Sequence, residues 1–301
     1  MIITKHRNIF FAITGTLVAI SLVAIIAFGL HLSIDFTGGT LVQVAYPAGR
    51  PAPQALASTL DASGFKDYSL REAGSTNYNL RSGNLTDAER SSLPAIFSMN
   101  GKYPATVESL NEIGPTIGAE LRTKAVLALS LVLLCILLFI AFAFRKVSKP
   151  VSSWIYGLIA LVTLVHDVIV PVGFFAILGH FTGVQVDTLF VTAVLTILGF
   201  SIHDTIVVFD RVRENLRINQ EYNRKEDFAD TAGRSLNQTF VRSINTSLTV
   251  LLTLLILFLI GPASTKYFAL TLLVGIIAGT YSSIFLATPL LVEIEKRRRS
   301  K

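Results

Sequence analysis

The stretch Gly199–Asn215, GFSIHDTIVVFDRVREN, decides the fold because it carries a carboxyl group inside an apolar run. The run begins near Thr188, and Asp204 lies well within it. A charged side chain near the middle of a bilayer costs about 2.5–3.5 kcal/mol on insertion scales. Such a carboxyl is therefore usually paired, protonated or in contact with water. The sequence predicts either a proton-handling carboxylate or one that only holds helices together by hydrogen bonds.

The composition of the whole chain is that of a membrane protein. Of its 301 residues, 51% are hydrophobic and only 15% are charged, whereas a soluble domain carries about 25% charged residues. The single cysteine, Cys135, excludes a disulfide within the chain, and no Cys/His spacing typical of zinc sites occurs. We therefore expect no metal and no cofactor, and the buried carboxyl of Asp204 makes the proton the expected coupling ion.

Six apolar runs can each cross the ~30 Å hydrocarbon layer as a helix. The first also resembles a signal peptide, but the apolar core of a signal peptide is only about 7–15 residues long, so we interpret this run as an uncleaved span. The fifth run is short and needs a helix that begins near Leu236. The runs are Ile9–Leu30, Ala125–Phe144, Trp154–Leu178, Thr188–Phe209, Ile244–Ile260 and Tyr267–Val292.

The distribution of lysine and arginine predicts the orientation in the membrane. The N-terminal tip, the loop 145–149, the segment 211–235 and the C-terminal tail are basic, and they alternate with loops poor in basic residues. We therefore expect a multi-pass membrane protein with both termini in the cytoplasm. The predicted organisation is an N-terminal tip with the first membrane helix (1–30), an extracytoplasmic domain (31–123), a five-helix membrane bundle (124–295) and a basic cytoplasmic tail (296–301).

The polar segment 31–123 predicts a small α+β domain. Its alternating apolar residues and turn signals give the order β-α-β-β-α-β, which is typical of a ferredoxin-like domain. The predicted elements are a strand at Thr40–Tyr46, a helix at Pro53–Ser63, strands at Asp67–Glu72 and Asn77–Arg81, a helix capped by Thr86 and a strand at Thr106–Ile113.

Arg242 lies near the start of the fifth span, at a depth similar to that of Asp204 if that helix begins near Leu236. We expect the two side chains to form a buried ion pair, because burying a pair costs less free energy than burying two isolated charges. Burial and the guanidinium would then act on the carboxyl in opposite senses, so that it could load and release a proton. The alternative is that Arg242 extends to the cytoplasmic surface.

Four further residues are weaker candidates for a proton pathway. Asp167, in the third span, is either a second relay group or a structural hydrogen-bond acceptor. Asp210 is either functional or an interfacial residue beside Arg211. His166 and His203 each precede an aspartate, and either could relay protons near neutral pH or be a packed neutral side chain.

Four segments resemble, in order, motifs of the SecF members of the SecD/SecF family of protein-export membrane proteins. They are Ile34–Gly39 (IDFTGG), Gly114–Leu121 (GPTIGAEL), the fourth-span stretch around Asp204, and Gln238-Thr239 followed by Arg242. The family pattern usually has asparagine directly before the fourth-span aspartate, where this chain has His203.

This resemblance implies half of a resistance-nodulation-division type transporter fold, completed by SecD. It also implies partnership with the Sec translocon channel (SecYEG), the translocating unfolded polypeptide and the lipid bilayer, with no nucleic acid. The family uses the proton motive force in protein transport, and residues matching Asp204 and Arg242 are tied to proton passage. The two glycine motifs set the angle at which the outer domain is carried, or are ordinary turns. Their residues are Asp35, Gly38, Gly39, Gly114, Pro115, Gly118 and Glu120.

Rival functions make different demands on the sequence. An intramembrane protease is disfavoured because there is no GxGD segment, and because Ser201 and His203 point to different faces of one helix. We therefore expect that this chain is not an enzyme. A proton-independent scaffold that positions the outer domain near the channel would tolerate exchange of Asp204 or Arg242. A small-molecule transporter is disfavoured by the lack of a duplicated half, and a subunit of another proton-coupled exporter remains an alternative.

Overall fold

The computed structural model describes Ile3, residues 6–145 and residues 151–299. The chain divides into two compact units, a membrane unit of Met1–Leu30 with Leu127–Lys301 and a unit of His31–Val126. We name the second the outer unit after its predicted position. The second junction lies within a helix, slightly beyond the predicted boundary at residue 123. The predicted N-terminal tip, the basic loop 145–149 and the tail 296–301 lie partly outside the described residues.

The six predicted membrane helices are confirmed, since six helices among the described residues are long and apolar enough to cross a bilayer. The sixth is interrupted by a π-helical turn at Ser283–Ala287, between Lys266–Ser282 and Thr288–Arg299. The six spanning helices are Arg7–Phe28, Pro115–Ala143, Ser153–Thr182, Thr188–Glu221, Phe228–Ile260 and Lys266–Arg298.

Glycines bring the fourth and sixth spanning helices into close contact. A Cβ atom added at Gly275 would lie 2.1 Å from Ile197, and one added at Gly279 would lie 2.9 Å from Cβ of Ser201. The two glycines are four residues apart and therefore face the same side of the helix. Small residues at this spacing let membrane helices approach closely. This contact holds the backbone around Ser201 against the sixth helix.

Three aromatic rings fix the segment of the fourth helix that follows Asp204. The Phe144 ring stacks on Tyr156 at 5.3 Å between centroids, and Phe209 meets the edge of Tyr156 at 5.2 Å. All three side chains are buried. Aromatic pairs in such arrangements contribute about 0.5–1.5 kcal/mol beyond the burial of their area. They therefore hold the fourth helix firmly against the third.

The fourth and fifth helices extend further than the hydropathy of the sequence predicts. The fourth runs to Glu221 rather than Phe209, and the fifth begins at Phe228 rather than near Leu236. The extension carries buried polar side chains that bond to each other across the hairpin, so it remains helical although it is not apolar. The polar segment 211–235 is thus mostly two helix ends.

The outer unit contains a four-stranded sheet with two helices and has the predicted order of elements. The sheet order is β2-β3-β1-β4, and every neighbouring pair is antiparallel. A short helix, Ile34–Thr37, precedes the first strand. The strands are β1 Gly39–Ala45, β2 Ser69–Ala73, β3 Asn77–Ser82 and β4 Thr106–Ile113, and the helices are Pro53–Ala62 and Asp87–Phe97.

The core of the outer unit lies between one face of this sheet and its two helices. Val42 and Val44 alternate with half-buried neighbours along β1, which is the period of a strand with one covered face. Leu56 and Leu60 pack from one helix against the same core. The other helix begins with a capping box in which Thr86 and Glu89 satisfy each other's backbone amides.

Candidate functional site

Asp204 is buried among the helices of the membrane unit, with only 3% of its surface exposed. Ser247 of the fifth helix donates a hydrogen bond of 3.4 Å to its Oδ2 atom. Nδ1 of His203 lies 3.8 Å from Oδ1, although the His203 side chain is 62% exposed. The carboxyl is therefore held by one hydroxyl and lies beside an imidazole at the surface of the chain.

The direct ion pair between Asp204 and Arg242 is not formed. Arg242 is exposed, and within the described part of the chain it lies beyond 4.0 Å of any carboxylate. It remains close enough for a through-space electrostatic interaction with the Asp204 carboxyl. Depth in the membrane alone does not fix which face of a helix points at the neighbouring helix, so a similar predicted depth does not guarantee a contact.

A stripe of small hydroxyl side chains, rather than Arg242, forms the buried face of the fifth helix. Its members recur every fourth residue and therefore lie above one another on one face. This regular spacing is visible in the sequence and could have located the buried face. The hydroxyl stripe comprises Thr231, Ser235, Thr239, Ser243 and Ser247, all of which are buried.

Asp167 of the third helix is completely buried and accepts hydrogen bonds from two other helices. Ser201 of the fourth helix and Ser282 of the sixth both donate to Oδ2, the latter at 2.9 Å. Oδ1 lies 2.8 Å from Nδ1 of His166, which is also buried. The structure thus brings together two predicted candidates, His166 and Asp167, with two serines that the sequence did not single out.

The sixth helix contacts both carboxyl sites just before and at the start of its π-helical turn. Thr280 donates to Ser247 at 2.7 Å, and Ser247 in turn donates to Asp204. Ser283 lies 2.9 Å from the hydroxyl of Thr205, next to Asp204 on the fourth helix. Single π-helical turns inside α-helices are frequent at functional sites.

Asp210 lies apart from these buried carboxyls. Its side chain is 66% exposed, and the nearest cation is Arg213 at 3.8 Å, three residues along the same helix. An exposed ion pair of this kind contributes little to stability. Within the described residues, no three His, Cys, Asp or Glu side chains are grouped as they would be around a metal ion.

A network of polar side chains joins the ends of the fourth and fifth helices. Gln238, from a sequence motif, accepts hydrogen bonds from Arg211 at 2.6 Å and from Asn215 at 2.9 Å. Arg234 donates to Glu226 at 2.6 Å. Charge-assisted bonds of this kind are stronger than neutral ones. The network therefore ties the hairpin together on the side that follows Asp204.

Glu226 lies in the turn of this hairpin and should make the stability of the hairpin depend on pH. Hydrogen bonds from Arg234, Asn219 and Thr231 hold the pKa of Glu226 at about 2, below its ordinary value of 4.5. Because the folded pKa is lowered, the stabilisation is present above pH 4.5 and is lost as pH falls towards 2. We expect Glu226→Gln to melt at lower temperature than the wild type at pH 7, with the difference shrinking on acidification.

The measurement is thermal unfolding of both proteins in detergent at a series of pH values. Glu221→Gln is the matched control, since the pair that Glu221 forms among the described residues is an exposed one with Arg217 on the same helix. This substitution should change the melting temperature little. A difference between wild type and Glu226→Gln that stays constant down to pH 2 would contradict the assignment.

The two glycine motifs pack directly against each other in the outer unit. A Cβ atom at Gly38 would lie 2.7 Å from Cα of Pro115, and one at Gly118 would lie 2.7 Å from the backbone nitrogen of Gly38. Gly38 and Gly39 also have positive φ angles of 73° and 117°. Two motifs far apart in sequence therefore form one close backbone contact, the glycine joint of Gly38, Gly39, Pro115 and Gly118.

The remaining motif residues border the glycine joint. The backbone amide of Asp35 donates to Ser33, which caps the short helix before Gly38. Glu120 pairs with Lys124 at 2.7 Å on the exposed side of the second spanning helix. Gly114 has open space around its Cα, so a methyl group would fit there.

Two family models match the segments that build these sites. The model described as "Protein export membrane protein SecD/SecF, C-terminal" matches residues 95–297, and the "SecD/SecF GG Motif" model matches residues 23–46. The first match covers more than half of the chain, including both buried carboxyls. The chain belongs to the SecD/SecF family. The resemblance found in the four sequence motifs is thereby confirmed.

Curated relatives in the SecD/SecF family match along nearly the full length. The protein translocase subunit SecF of Thermobaculum terrenum is 41% identical, over 98% of this chain and 94% of the relative. That of Anaerolinea thermophila is 40% identical, over 96% and 92% respectively. This agreement places the chain among protein-transport membrane proteins of the Sec pathway.

A solved structure of the same family has the same fold. The crystal structure of SecDF, a translocon-associated membrane protein from Thermus thermophilus, superposes with a TM-score of 0.84 at 34% identity. The superposition covers 98% of this chain but only 38% of that chain. The six-helix unit with its α+β outer unit therefore corresponds to one part of a longer protein there.

Proposed function

We propose that this chain is the SecF-type subunit of the SecD/SecF accessory complex, which uses the proton motive force to promote protein translocation through the Sec channel. The single observation that carries the proton part is Asp204, an ionisable side chain buried on a spanning helix between hydroxyl-bearing helices. A buried carboxyl of this kind is costly and marks proton pathways in membrane proteins. The family match supports the protein-transport part.

The proposed partners follow from the relatives. The matched SecDF chain is much longer than this one, and we propose that SecD supplies the part that this chain lacks. The Sec channel (SecYEG) and the translocating polypeptide are the further proposed partners, within the lipid bilayer. In this proposal the chain catalyses no chemical reaction and needs no cofactor besides the coupling proton.

The proposed orientation has both termini in the cytoplasm and residues 31–123 outside. It rests on the alternation of basic and non-basic loops. The exposed arginines of the hairpin, Arg217 and Arg224, would then face the cytoplasm. Proton uptake by the Asp204 carboxyl changes its hydrogen bond with Ser247 of the fifth helix, to which Thr280 of the sixth helix also donates. In this proposal the resulting movement passes to the outer unit.

The proposal is tested with inverted membrane vesicles from cells with and without this chain, each containing SecD and the Sec channel. We expect the chain to speed uptake of a secretory protein only while a proton gradient exists. An ionophore that collapses the gradient should remove that gain.

The alternative is a proton-independent scaffold, and one observation favours it: Arg242 is exposed and does not pair with Asp204 directly. A scaffold predicts the same gain in uptake with and without the ionophore. That outcome would overturn the proton-driven function while leaving the family membership intact.

A further inference from the structure

The His166–Asp167 dyad is a buried ionisable group that the proposed role of Asp204 does not use. Both residues are in the third spanning helix, with exposed fractions of 3% and 0%. Asp167 receives its hydrogen bonds from Ser201 and Ser282, on two other helices, and from Nδ1 of His166. All three partners have a tautomer or rotamer in which they donate, so together they can satisfy an ionised carboxylate.

The other ring nitrogen of His166 has no hydrogen-bond partner among the described residues. Nε2 is buried, and no donor or acceptor reaches it. With Nδ1 donating to Asp167, Nε2 carries the free lone pair of a neutral imidazole. A buried polar atom without a partner costs about 1–3 kcal/mol and is uncommon in folded proteins. Nε2 is therefore the atom of the dyad that is available to accept a hydrogen bond or a proton.

The net charge of the dyad indicates that Nε2 accepts a proton. Asp167 with a neutral His166 leaves one buried negative charge, and in the described part of the chain no lysine or arginine lies within 4.0 Å of it. A negative charge in the membrane interior is expensive. One proton on Nε2 gives an imidazolium–carboxylate pair with no net charge. One proton thus both occupies the free lone pair and neutralises the site.

The described groups that face the dyad supply no positive charge to compensate the Asp167 carboxylate. From the sixth helix, the ring of Tyr281 lies 6.3 Å from the His166 ring. From the fourth helix, Asp204 follows Ser201 by one turn. The first helix packs against the third, and its buried residues Thr14, Ser21 and Ala24 do not titrate.

The sixth helix connects the dyad to Asp204. Ser282 donates to Asp167, whereas Thr280 donates to Ser247, which bonds to Asp204. These hydroxyls lie two residues apart, immediately before the π-helical turn at Ser283–Ala287. A helix turn that can exchange hydrogen-bond partners is an element whose position both sites can bias.

We propose that His166 and Asp167 form a second proton-binding site, with Nε2 of His166 as the accepting atom, linked to Asp204 through Thr280–Ser283. The site itself does not depend on the proposed function, but its link to transport rests on the proton-driven role of Asp204. Proton uptake at one site changes the position of the sixth helix, and thereby the proton affinity of the other.

The site is tested on the full chain in lipid nanodiscs with ¹⁵N-labelled histidine, by NMR over a pH series. The chain has five histidines, and His166→Gln identifies the signal of interest. We expect that signal to show a proton on Nδ1 at high pH and a second one on Nε2 as the pH is lowered. In Asp167→Asn the second proton should be absent, while the other histidine signals stay in place. A His166 that stays neutral in the wild type, or that titrates unchanged in Asp167→Asn, would overturn the proposal.

The link to Asp204 is tested by the same titration in Asp204→Asn, with Asp210→Asn as the matched control on the same helix. We expect Asp204→Asn to change the proton affinity of His166 by about fivefold or more, as is usual for coupled sites, and Asp210→Asn to leave it unchanged. In a Thr280→Val background the effect of Asp204→Asn should be lost. An effect that persists there would overturn the link through the sixth helix.

These readouts separate the two proposals, because the titration requires no transport. A silent His166 would refute the second site and leave the vesicle result unaffected. Gradient-independent uptake in the vesicles would refute the proton-driven function and leave the titration of the dyad standing.

Discussion

Asp204→Asn is expected to abolish the stimulation of protein export by the proton gradient. Asparagine has nearly the same shape and can still accept the hydrogen bond from Ser247, so the helix packing should persist. What it removes is the ability to ionise. One charge moving through 100 mV releases about 2.3 kcal/mol, which is about fiftyfold in an equilibrium constant. Without a titrating group, this contribution is lost.

The measurement is the uptake rate of a secretory protein into vesicles, with and without the gradient, for wild type and variant. The matched control is Asp210→Asn, the same substitution six positions along the same helix at a side chain that is 66% exposed. We expect the control to keep the full stimulation. Equal stimulation in Asp204→Asn and wild type would exclude Asp204 as the coupling group.

The membrane layout could be predicted from the sequence because apolar runs of sufficient length leave little freedom in a bilayer. The order of elements in the outer unit could also be predicted, since alternating residues such as Val42 and Val44 mark a strand with one buried face. The extension of the fourth helix to Glu221 could not. Its stability comes from side chains across the hairpin, and hydropathy does not report such pairs.

The arrangement of the carboxyl sites was predicted only in part. Asp204 and Asp167 were identified from their burial cost, which depends on sequence and depth alone. Their hydrogen-bond partners depend on how each helix is rotated about its axis relative to its neighbours. Gly275 and Gly279 mark a face for close helix contact, but the sequence does not say which helix packs against that face. This is why Arg242 was expected beside Asp204, where the structure has Ser247.

Gly38→Ala is expected to destabilise the outer unit by about 3 kcal/mol. Gly38 has φ 73° and ψ 173°, a region that is almost restricted to glycine and costs other residues about 1–3 kcal/mol. The new methyl group would also lie 2.7 Å from Cα of Pro115. The added Cβ is fixed to the backbone, and Cα of Pro115 belongs to the backbone and to the proline ring. Either the start of β1 or the start of the second spanning helix must therefore move.

Gly114→Ala tests whether this loss comes from the close contact or merely from placing alanine in a glycine motif. Gly114 belongs to the same motif as Gly118, but an added Cβ there meets no atom within 4 Å, and its φ is not positive. Alanine at this position should therefore change stability by less than about 0.5 kcal/mol.

The measurement for both variants is the hydrogen-exchange rate of the backbone amides of β1 and β4 in the full chain. These strands lie on either side of the glycine joint and pair from Gly39 and Ile113 onward. A loss of 3 kcal/mol corresponds to roughly a hundredfold faster exchange of amides that open with the unit. Gly38→Ala should show it, and Gly114→Ala should retain wild-type protection. If both variants lost protection equally, the motif glycines would act through chain flexibility, and the close contact between Gly38 and Pro115 would not be what the motif preserves.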